Sequence, residues 1–167
     1  MPNISAIQDF FFQAMLRGYV DDKAPIGTIP ELPGSKTFTF CSPDEKFTLR
    51  DVWFGVGQIN FGLTIIWEKL VNSRVFIPVW KMSYEGRYRA DAIPVLKEAL
   101  HLAYSNKTFL GGRGPAIWRL QEFVYRNFPD SQSNFQKFSG HEKVMHHNGK
   151  SLGSHSYEGG ILFNPQD

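Results

Sequence analysis

The stretch HEKVMHHNGKSLGSHSY, residues 141–157, decides the fold of this protein. Asn148 and Gly149 stand near its middle, and strand-like runs flank them on both sides. The Asn-Gly pair is favoured in two-residue type I′ turns, because both central residues of that turn need a positive φ. The stretch therefore predicts an antiparallel β-hairpin in which His147 faces Lys150.

This hairpin fixes which side chains meet across it. Counting outward from the turn puts Glu142 opposite His155, and Tyr157 projects from the same side as His155. One interpretation is a surface ion pair worth about 0–1 kcal/mol. The other is that the face is partly buried and that Glu142 orients His155 in a pocket. A β-bulge near Gly153 would shift the register by one residue and separate the pair.

Alternating apolar and polar residues predict further strands upstream. Such runs occur at residues 37–40, 47–53, 59–69 and 75–84. In the last of them, the alternation places Trp80 and Tyr84 on one face, together with Phe76 and Met82. Pro78 lacks an N–H group, so this strand is predicted to lie at a sheet edge or to bulge there. Alternation in neighbouring runs is typical of antiparallel pairing.

Two helices are predicted beside these strands. Ser5 and Gln8 fit a capping box that starts a helix over residues 5–18. Asp91 fits the N-cap of a second helix over residues 92–104, with Pro94 in its first turn. The sequence thus predicts an α+β fold, a curved and largely antiparallel sheet packed by an N-terminal and a central helix and ending in the hairpin. Residues 1–167 are expected to form a single domain.

Composition excludes several classes of protein. The net charge of +2 is too small to indicate nucleic-acid binding by this chain. The single cysteine, Cys41, excludes an internal disulfide and a cysteine-based zinc cluster. No secretory signal and no apolar stretch of about 20 residues is evident, so we expect a soluble, cytoplasmic protein that does not enter membranes. Aromatic residues make up 15% of the chain, which favours an aromatic core or pocket.

The histidines near the hairpin do not predict a metal site. His146 and His147 are adjacent in a strand and point to opposite faces, and His146 and His155 are about 13 Å apart along the strands. Zinc requires nitrogen ligands at about 2.0–2.1 Å. We therefore expect no metal and no cofactor.

The glycine-rich run FLGGRGP, residues 109–115, is the clearest candidate for ligand binding. The run lacks the spacing of a phosphate-binding P-loop. One interpretation is that its glycines end the preceding helix region and turn the chain. The other is that Gly112 and Gly114 bring Arg113 into a cleft, where its guanidinium binds a carboxylate or phosphate. We expect this run and residues 154–163 to line the same concavity, and both interpretations can hold together.

Several runs in a fixed order carry a family resemblance. They are PVWKMSYEGRY (78–88), IPVLKEAL (93–100), FLGGRGP (109–115), FQKFSGHEKV (135–144) and LGSHSYEGGIL (152–162). Together they resemble a bacterial and archaeal family known only as a domain of unknown function. Some of its members carry the domain behind an N-terminal helix-turn-helix, which this chain lacks. Residues 118–128 suit either a helix or a strand, and the resemblance favours a strand over residues 120–127.

Three functions fit these features. The first is a small-ligand-binding or sensory module with an aromatic pocket that includes Trp80 and Tyr84 and with Arg113, Gly112 and Gly114 around a small anionic ligand. The second is a small cofactor-free enzyme that uses His155, Glu142 and Tyr157. The third is a protein-interaction or homo-oligomerisation domain. The sequence leaves open whether the protein is an enzyme.

Overall fold

A computed structural model describes residues 3–163 of the chain. Its two α-helices are α1 (Ile4–Leu16) and α2 (Ile93–Ser105), and a single 3₁₀ turn (Ala90–Ala92) precedes α2. The eight strands are β1 (Ser35–Cys41), β2 (Phe47–Val56), β3 (Ile59–Lys69), β4 (Phe76–Tyr88), β5 (Ile117–Leu120), β6 (Phe123–Pro129), β7 (Lys137–His146) and β8 (Ser151–Ile161).

The strands form one curved sheet in the order β1-β2-β3-β4-β8-β7-β6-β5, and every neighbouring pair is antiparallel. The chain builds β1 to β4 as a meander, crosses the sheet through α2, and returns as a second meander from β5 to β8. The two meanders meet where β8 pairs with β4. This is the α+β fold with a largely antiparallel sheet that the sequence predicts.

The helices cover one face of the sheet, and aromatic side chains fill the space between. Trp80 stacks on Phe135 with ring centroids 5.1 Å apart, and Phe11 of α1 packs against both rings. The Trp80 indole N–H donates a hydrogen bond to the Phe135 carbonyl over 3.0 Å. This satisfies the polar atom of a side chain that is otherwise wholly buried. The high aromatic content therefore supplies the core.

Both helices start differently from the sequence prediction. Asn3 is the N-cap of α1, and its side chain accepts a hydrogen bond from the Ala6 N–H over 3.2 Å. Ser5 lies inside the helix, so the capping box is wrong. Helix α2 begins after Ala92 without a side-chain cap, and Asp91 instead pairs with Arg89. The 3₁₀ turn takes the place of a side-chain cap, because the N–H group of Ile93 at the start of the helix donates to the Ala90 carbonyl within that turn.

Strand β4 is central, because it lies between β3 and β8. The prediction of an edge strand is therefore wrong, while the predicted bulge is present. Trp67 pairs with Pro78 and Ile66 pairs with Trp80, which leaves Val79 without a partner. The extra residue reverses the alternation, so Phe76 points away from the face that carries Trp80. A bulge accommodates a proline that cannot donate to the sheet.

Residues 117–129 are extended, as the sequence favours, but they form a hairpin and not one strand. Strands β5 and β6 pair from Ile117↔Arg126 to Leu120↔Phe123. Gln121 and Glu122 make the turn, and Gln121 has a φ of 52°. A non-glycine residue with positive φ gives little signal in the sequence, so the break was missed.

The turn between β7 and β8 is also longer than predicted. The His146 N–H donates to the Lys150 carbonyl and the Gly149 N–H to the His146 carbonyl, so three residues form the loop. Gly149 takes a φ of 89°, which suits the last position of such a loop. Leu152 then bulges out between the pairs Met145↔Ser151 and Val144↔Gly153. The two irregularities cancel, and the predicted pairing of Glu142 with His155 is confirmed.

The other side of the sheet, which we call the open face, is not covered by a helix within residues 3–163. Apolar residues of β2 and β3 lie on it, and Phe54 stacks on Phe61 with centroids 5.0 Å apart. Val56 is the most exposed of them at 70% of its full accessibility. No helix in the described part of the chain is long and apolar enough to cross a bilayer.

Candidate functional site

The centre of the run FLGGRGP is buried, although the composition of the run is typical of a surface loop. Residues 111–114 all have less than a tenth of their surface accessible. Asn127 of β6 holds the run in place, since its amide donates to the Gly114 carbonyl over 3.1 Å and its backbone N–H donates to Ala116. The run therefore passes under the sheet face and carries Arg113 into the interior.

Two glycines make this path possible. A Cβ at Gly112 would overlap the Tyr157 hydroxyl, and a Cβ at Gly114 would overlap the Tyr125 hydroxyl. The backbone thus passes between two buried tyrosines, where only glycine leaves enough space. The predicted proximity of FLGGRGP and residues 154–163 is confirmed by this contact and by the position of Arg113.

Arg113, Glu142 and His155 form a buried triangle of charged and polar groups. Arg113 Nη1 lies 3.3 Å from His155 Nδ1 and 3.5 Å from Glu142 Oε1, and the last two atoms are also 3.5 Å apart. The Tyr125 hydroxyl donates to the other carboxylate oxygen of Glu142 over 2.8 Å. Glu142 is fully buried, and Arg113 and His155 are 4% and 5% exposed. This excludes the surface ion pair as an interpretation of Glu142 and His155.

Burial and charge set the protonation of this triangle. Burial alone would raise the pKa of Glu142, but the charge of Arg113 and the contacts with His155 and Tyr125 together outweigh it and hold that pKa below its ordinary value. Burial also disfavours a charged guanidinium, but Glu142 and the neighbouring tyrosines together outweigh it and raise the pKa of Arg113. Burial lowers the pKa of His155, and the charge of Arg113 lowers it further. At neutral pH the triangle holds an ionised Arg113–Glu142 pair and a neutral imidazole.

Two contacts of His155 Nδ1 favour opposite tautomers of the neutral ring. Arg113 Nη1, 3.3 Å away, can only donate a hydrogen bond and favours an unprotonated Nδ1. Glu142 Oε1, 3.5 Å away, can only accept and favours a proton on Nδ1. The contact with Arg113 is the shorter one, so we assign the proton to Nε2. In this tautomer His155 Nε2–H and Arg113 Nε–H are buried donors without a hydrogen-bond partner among residues 3–163, and the acceptor Glu142 Oε1 also lacks one there.

Asp51 adds a second carboxylate to the site. It lies on β2, where it accepts hydrogen bonds from Thr64 over 2.8 Å and from the Tyr84 hydroxyl over 3.1 Å. Burial raises the pKa of Asp51 to about 6, although both hydrogen bonds and the charge of Arg113 oppose the shift. Tyr84 connects Asp51 to the triangle of Arg113, Glu142 and His155. Its hydroxyl donates to Asp51, and the Arg113 guanidinium stacks 4.6 Å from its ring centroid.

These side chains line a small cavity of about 50 Å³. Its inner wall consists of buried residues, among them Asp51, Arg113 and His155. Half-buried residues also line it, and they are Tyr19, Trp53, Asn60, Tyr84 and Ile93. Tyr19 follows α1, and Lys97 of α2 holds it by a cation–π contact at 5.3 Å from the ring centroid. The cavity thus opens between the end of α1 and the start of α2.

The structure brings together most of the residues that the sequence singles out. Arg113, Gly112 and Gly114 meet Glu142, His155 and Tyr84, as described above. Tyr157 lies on the predicted face, but its hydroxyl donates to Asn127 and supports the loop. Trp80 lies in the aromatic core and does not line the cavity. No group of three or more His, Cys, Asp or Glu side chains suited to a metal ion occurs within residues 3–163.

Sequence reasoning missed Asp51, Thr64 and Tyr125. Asp51 alternates in phase with the buried Leu49, which is the signal that could have revealed a polar residue on the buried face. Thr64 likewise alternates in phase with the buried Ile66. Tyr125 lay in the segment whose structure the sequence left ambiguous.

The fold and site define a class: an open antiparallel sheet with two helices on one face and a charged cluster buried beneath them. The chain belongs to the family described as domain of unknown function DUF5680, whose match covers residues 51–162. That match includes Asp51, Arg113, Glu142 and His155. No curated protein and no solved structure matches the chain. The predicted resemblance to a family of unknown function is thus confirmed.

Proposed function

We propose that the protein is a small-ligand-binding module, and that its ligand places an acidic group in the cavity beside Arg113. One observation carries the proposal. Arg113 Nε and His155 Nε2 belong to side chains that line the same cavity, and both nitrogens are buried without a hydrogen-bond partner among residues 3–163. Leaving a buried donor unsatisfied costs about 1–3 kcal/mol, and an anion in the cavity would remove that cost for both groups.

The position of Arg113 favours an acid as the ligand. Nη1 faces His155 and Glu142, and Nε lacks a hydrogen-bond partner among residues 3–163, so the edge that contains Nε is the one that we propose binds the ligand. That edge can pair with a carboxylate or a phosphate through two parallel hydrogen bonds. The buried glycine run and the Tyr84 ring fix the guanidinium before any ligand arrives, which reduces the entropy lost on binding.

The same contacts speak against an acid–base enzyme. A general base at His155 needs an unprotonated Nε2, whereas the shorter of the two contacts of Nδ1, the one with Arg113, favours a proton on Nε2. Tyr157, the third candidate for catalysis, uses its hydroxyl to support the loop. Protein interaction through the open face takes second place, because the described residues do not define a partner for it.

A thermal-shift screen tests the proposal. The wild type is heated with small carboxylates and phosphates at up to 20 mM, in parallel with Arg113→Lys and the exposed control Arg119→Lys. A ligand at about one hundred times its Kd stabilises the fold by about 2.7 kcal/mol, which corresponds to roughly 5 °C or more for a chain of this size. We expect such a shift in the wild type and in Arg119→Lys, and its loss in Arg113→Lys. A shift of equal size in all three proteins, or none with any acid, would overturn the proposal.

A further inference from the structure

Two chemically different kinds of group line the cavity beside Arg113. Arg113 and His155 contribute N–H donors. Asp51 contributes two carboxylate oxygens, one of which accepts from Thr64 and both of which lie near the Tyr84 hydroxyl. A simple anion satisfies the donors and brings a negative charge towards Asp51. The residues that line the cavity therefore fit a ligand with an acidic group and a donor group side by side.

The charge balance supports this conclusion. Arg113 and Glu142 neutralise each other at 3.5 Å, so Asp51 leaves the cavity with a net negative charge when it is ionised. An inorganic phosphate dianion would add to that charge in a medium of low dielectric constant. A ligand with one negative and one positive group adds no net charge and pairs each group with its opposite.

The size of the cavity sets the size of the ligand. A buried water needs roughly 10–15 Å³ of such volume, so the 50 Å³ present hold about three to five atoms of that size. An amino group, one carbon and a carboxylate fill this space. A short side chain on that carbon would extend to the rim, where Tyr19 and Trp53 lie edge-to-face with ring centroids 6.4 Å apart.

We propose that the cavity binds a small α-amino acid, with its carboxylate on Arg113 and His155 and its ammonium group on Asp51. This inference rests on the proposed function and goes further by naming the class of ligand. The aromatic rim suits small or apolar side chains, because a charged side chain there would lose water without gaining an opposite charge.

NMR titrations of the wild type at pH 7.5 test the inference with four probes: glycine, L-alanine, acetate and methylamine. Acetate and methylamine each carry one half of the head group of an amino acid. We expect glycine and L-alanine to bind at least tenfold more tightly than either half. In Asp51→Asn the affinity for glycine should fall about tenfold while that for acetate rises, because the charge of Asp51 no longer repels the anion, and the exposed control Asp91→Asn should change neither.

The outcomes separate the two proposals. If acetate binds as tightly as glycine and Asp51→Asn leaves glycine binding unchanged, the amino-acid inference is overturned while binding of acids by Arg113 stands. If acetate, glycine and L-alanine all fail to shift any resonance of the cavity, both proposals are overturned.

A pH series on the wild type gives the same information if Asp51→Asn does not fold. The groups that face Asp51 are Thr64 of β3, Tyr84 of β4 and Tyr104 of α2, together with Arg113 and Tyr19 from the loops. His155 also lines the cavity and titrates, but its protonation affects every carboxylate alike. The affinity ratio of glycine to acetate should therefore fall at least threefold as Asp51 protonates below a pH of about 6. A constant ratio between pH 7.5 and 5 would overturn the inference.

Discussion

Glu142 and His155 face each other across β7 and β8, with Oε1 and Nδ1 3.5 Å apart and both side chains buried. Arg113 Nη1 lies at a similar distance from each of these two atoms, 3.3 Å from Nδ1 and 3.5 Å from Oε1. The carboxylate and the guanidinium therefore act on the imidazole in opposite directions. This arrangement leads to several measurable consequences.

Removal of the carboxylate charge should lower the pKa of His155 further. Burial and Arg113 already lower that pKa, and Glu142 is the group that opposes them. In Glu142→Gln we expect the imidazole to titrate at a lower pH than in the wild type, as followed by the ring resonances in NMR. The exposed His101 serves as an internal control in both proteins. An identical His155 titration in the two proteins would contradict the contact.

Loss of the Arg113 charge should destabilise the fold strongly. Arg113→Met leaves Glu142 as an unpaired buried carboxylate, and breaking a buried ion pair costs about 3–5 kcal/mol. Urea unfolding should show this loss, whereas the exposed Arg119→Met should change the free energy of unfolding by less than about 0.5 kcal/mol. Adding Glu142→Gln to Arg113→Met should restore part of the stability, because the amide removes the unpaired charge. If the two single changes simply add in the double variant, the ion pair is not coupled as described.

Asp51 should make the protein less stable as the pH rises. The pKa of the Asp51 carboxyl is about 6 in the folded protein, and its ordinary value of 3.8 applies to the unfolded chain, so folding favours the protonated form. The stability from that form is fully present below a pH of about 4 and is lost by a pH above about 6, a change of about 3 kcal/mol. Urea unfolding of the wild type and of Asp51→Asn at several pH values isolates this effect, since His155 titrates in both. A stability difference that does not vary between pH 4 and 7 would show that Asp51 ionises normally.

The glycines that enclose Arg113 should tolerate no side chain. Gly114→Ala places a methyl group on the Tyr125 hydroxyl, and overpacking of this kind costs about 1–3 kcal/mol. Gly112→Ala should be similar, and Tyr157→Phe should relieve it in part by removing the hydroxyl that the methyl group meets. Gly27→Ala is a matched control, because a Cβ there makes only ordinary contacts. Equal melting temperatures for Gly114→Ala and Gly27→Ala would contradict the close packing of the loop.

The sequence predicts the pairing of Glu142 with His155, but partly through two errors that cancel. A three-residue turn moves the register by one, and the bulge at Leu152 moves it back. Asn-Gly fits both the two-residue and the three-residue loop, and the bulge that the sequence allows near Gly153 restores the pair, where we expected it to separate the pair. The hydrophobic pattern of the buried faces decides between registers, because a slip of one residue would expose Val144 and bury Lys143.

Only part of the candidate site could be predicted from the sequence. Arg113 stands out because glycines flank it, and His155 stands out through the hairpin. The burial of Arg113 could not be predicted from the glycine-rich run, because composition does not distinguish a surface turn from a segment enclosed by tyrosines. Asp51 was missed for a different reason. Its burial depends on β1 and β3 lying on either side of it, which is a property of the whole sheet.

The Arg113 Nε–Hε group tests the central claim most directly, because it is the donor that we propose binds the acid. Its resonance can be followed in a nitrogen-edited NMR spectrum of the wild type, with Arg119 as the solvent-exposed reference, while acetate and then glycine are added. Our account predicts a saturable shift of the Arg113 resonance to higher frequency, with Arg119 unchanged and His155 Nε2–H shifting in parallel. An Arg113 resonance that stays in place up to 100 mM of either compound would contradict it.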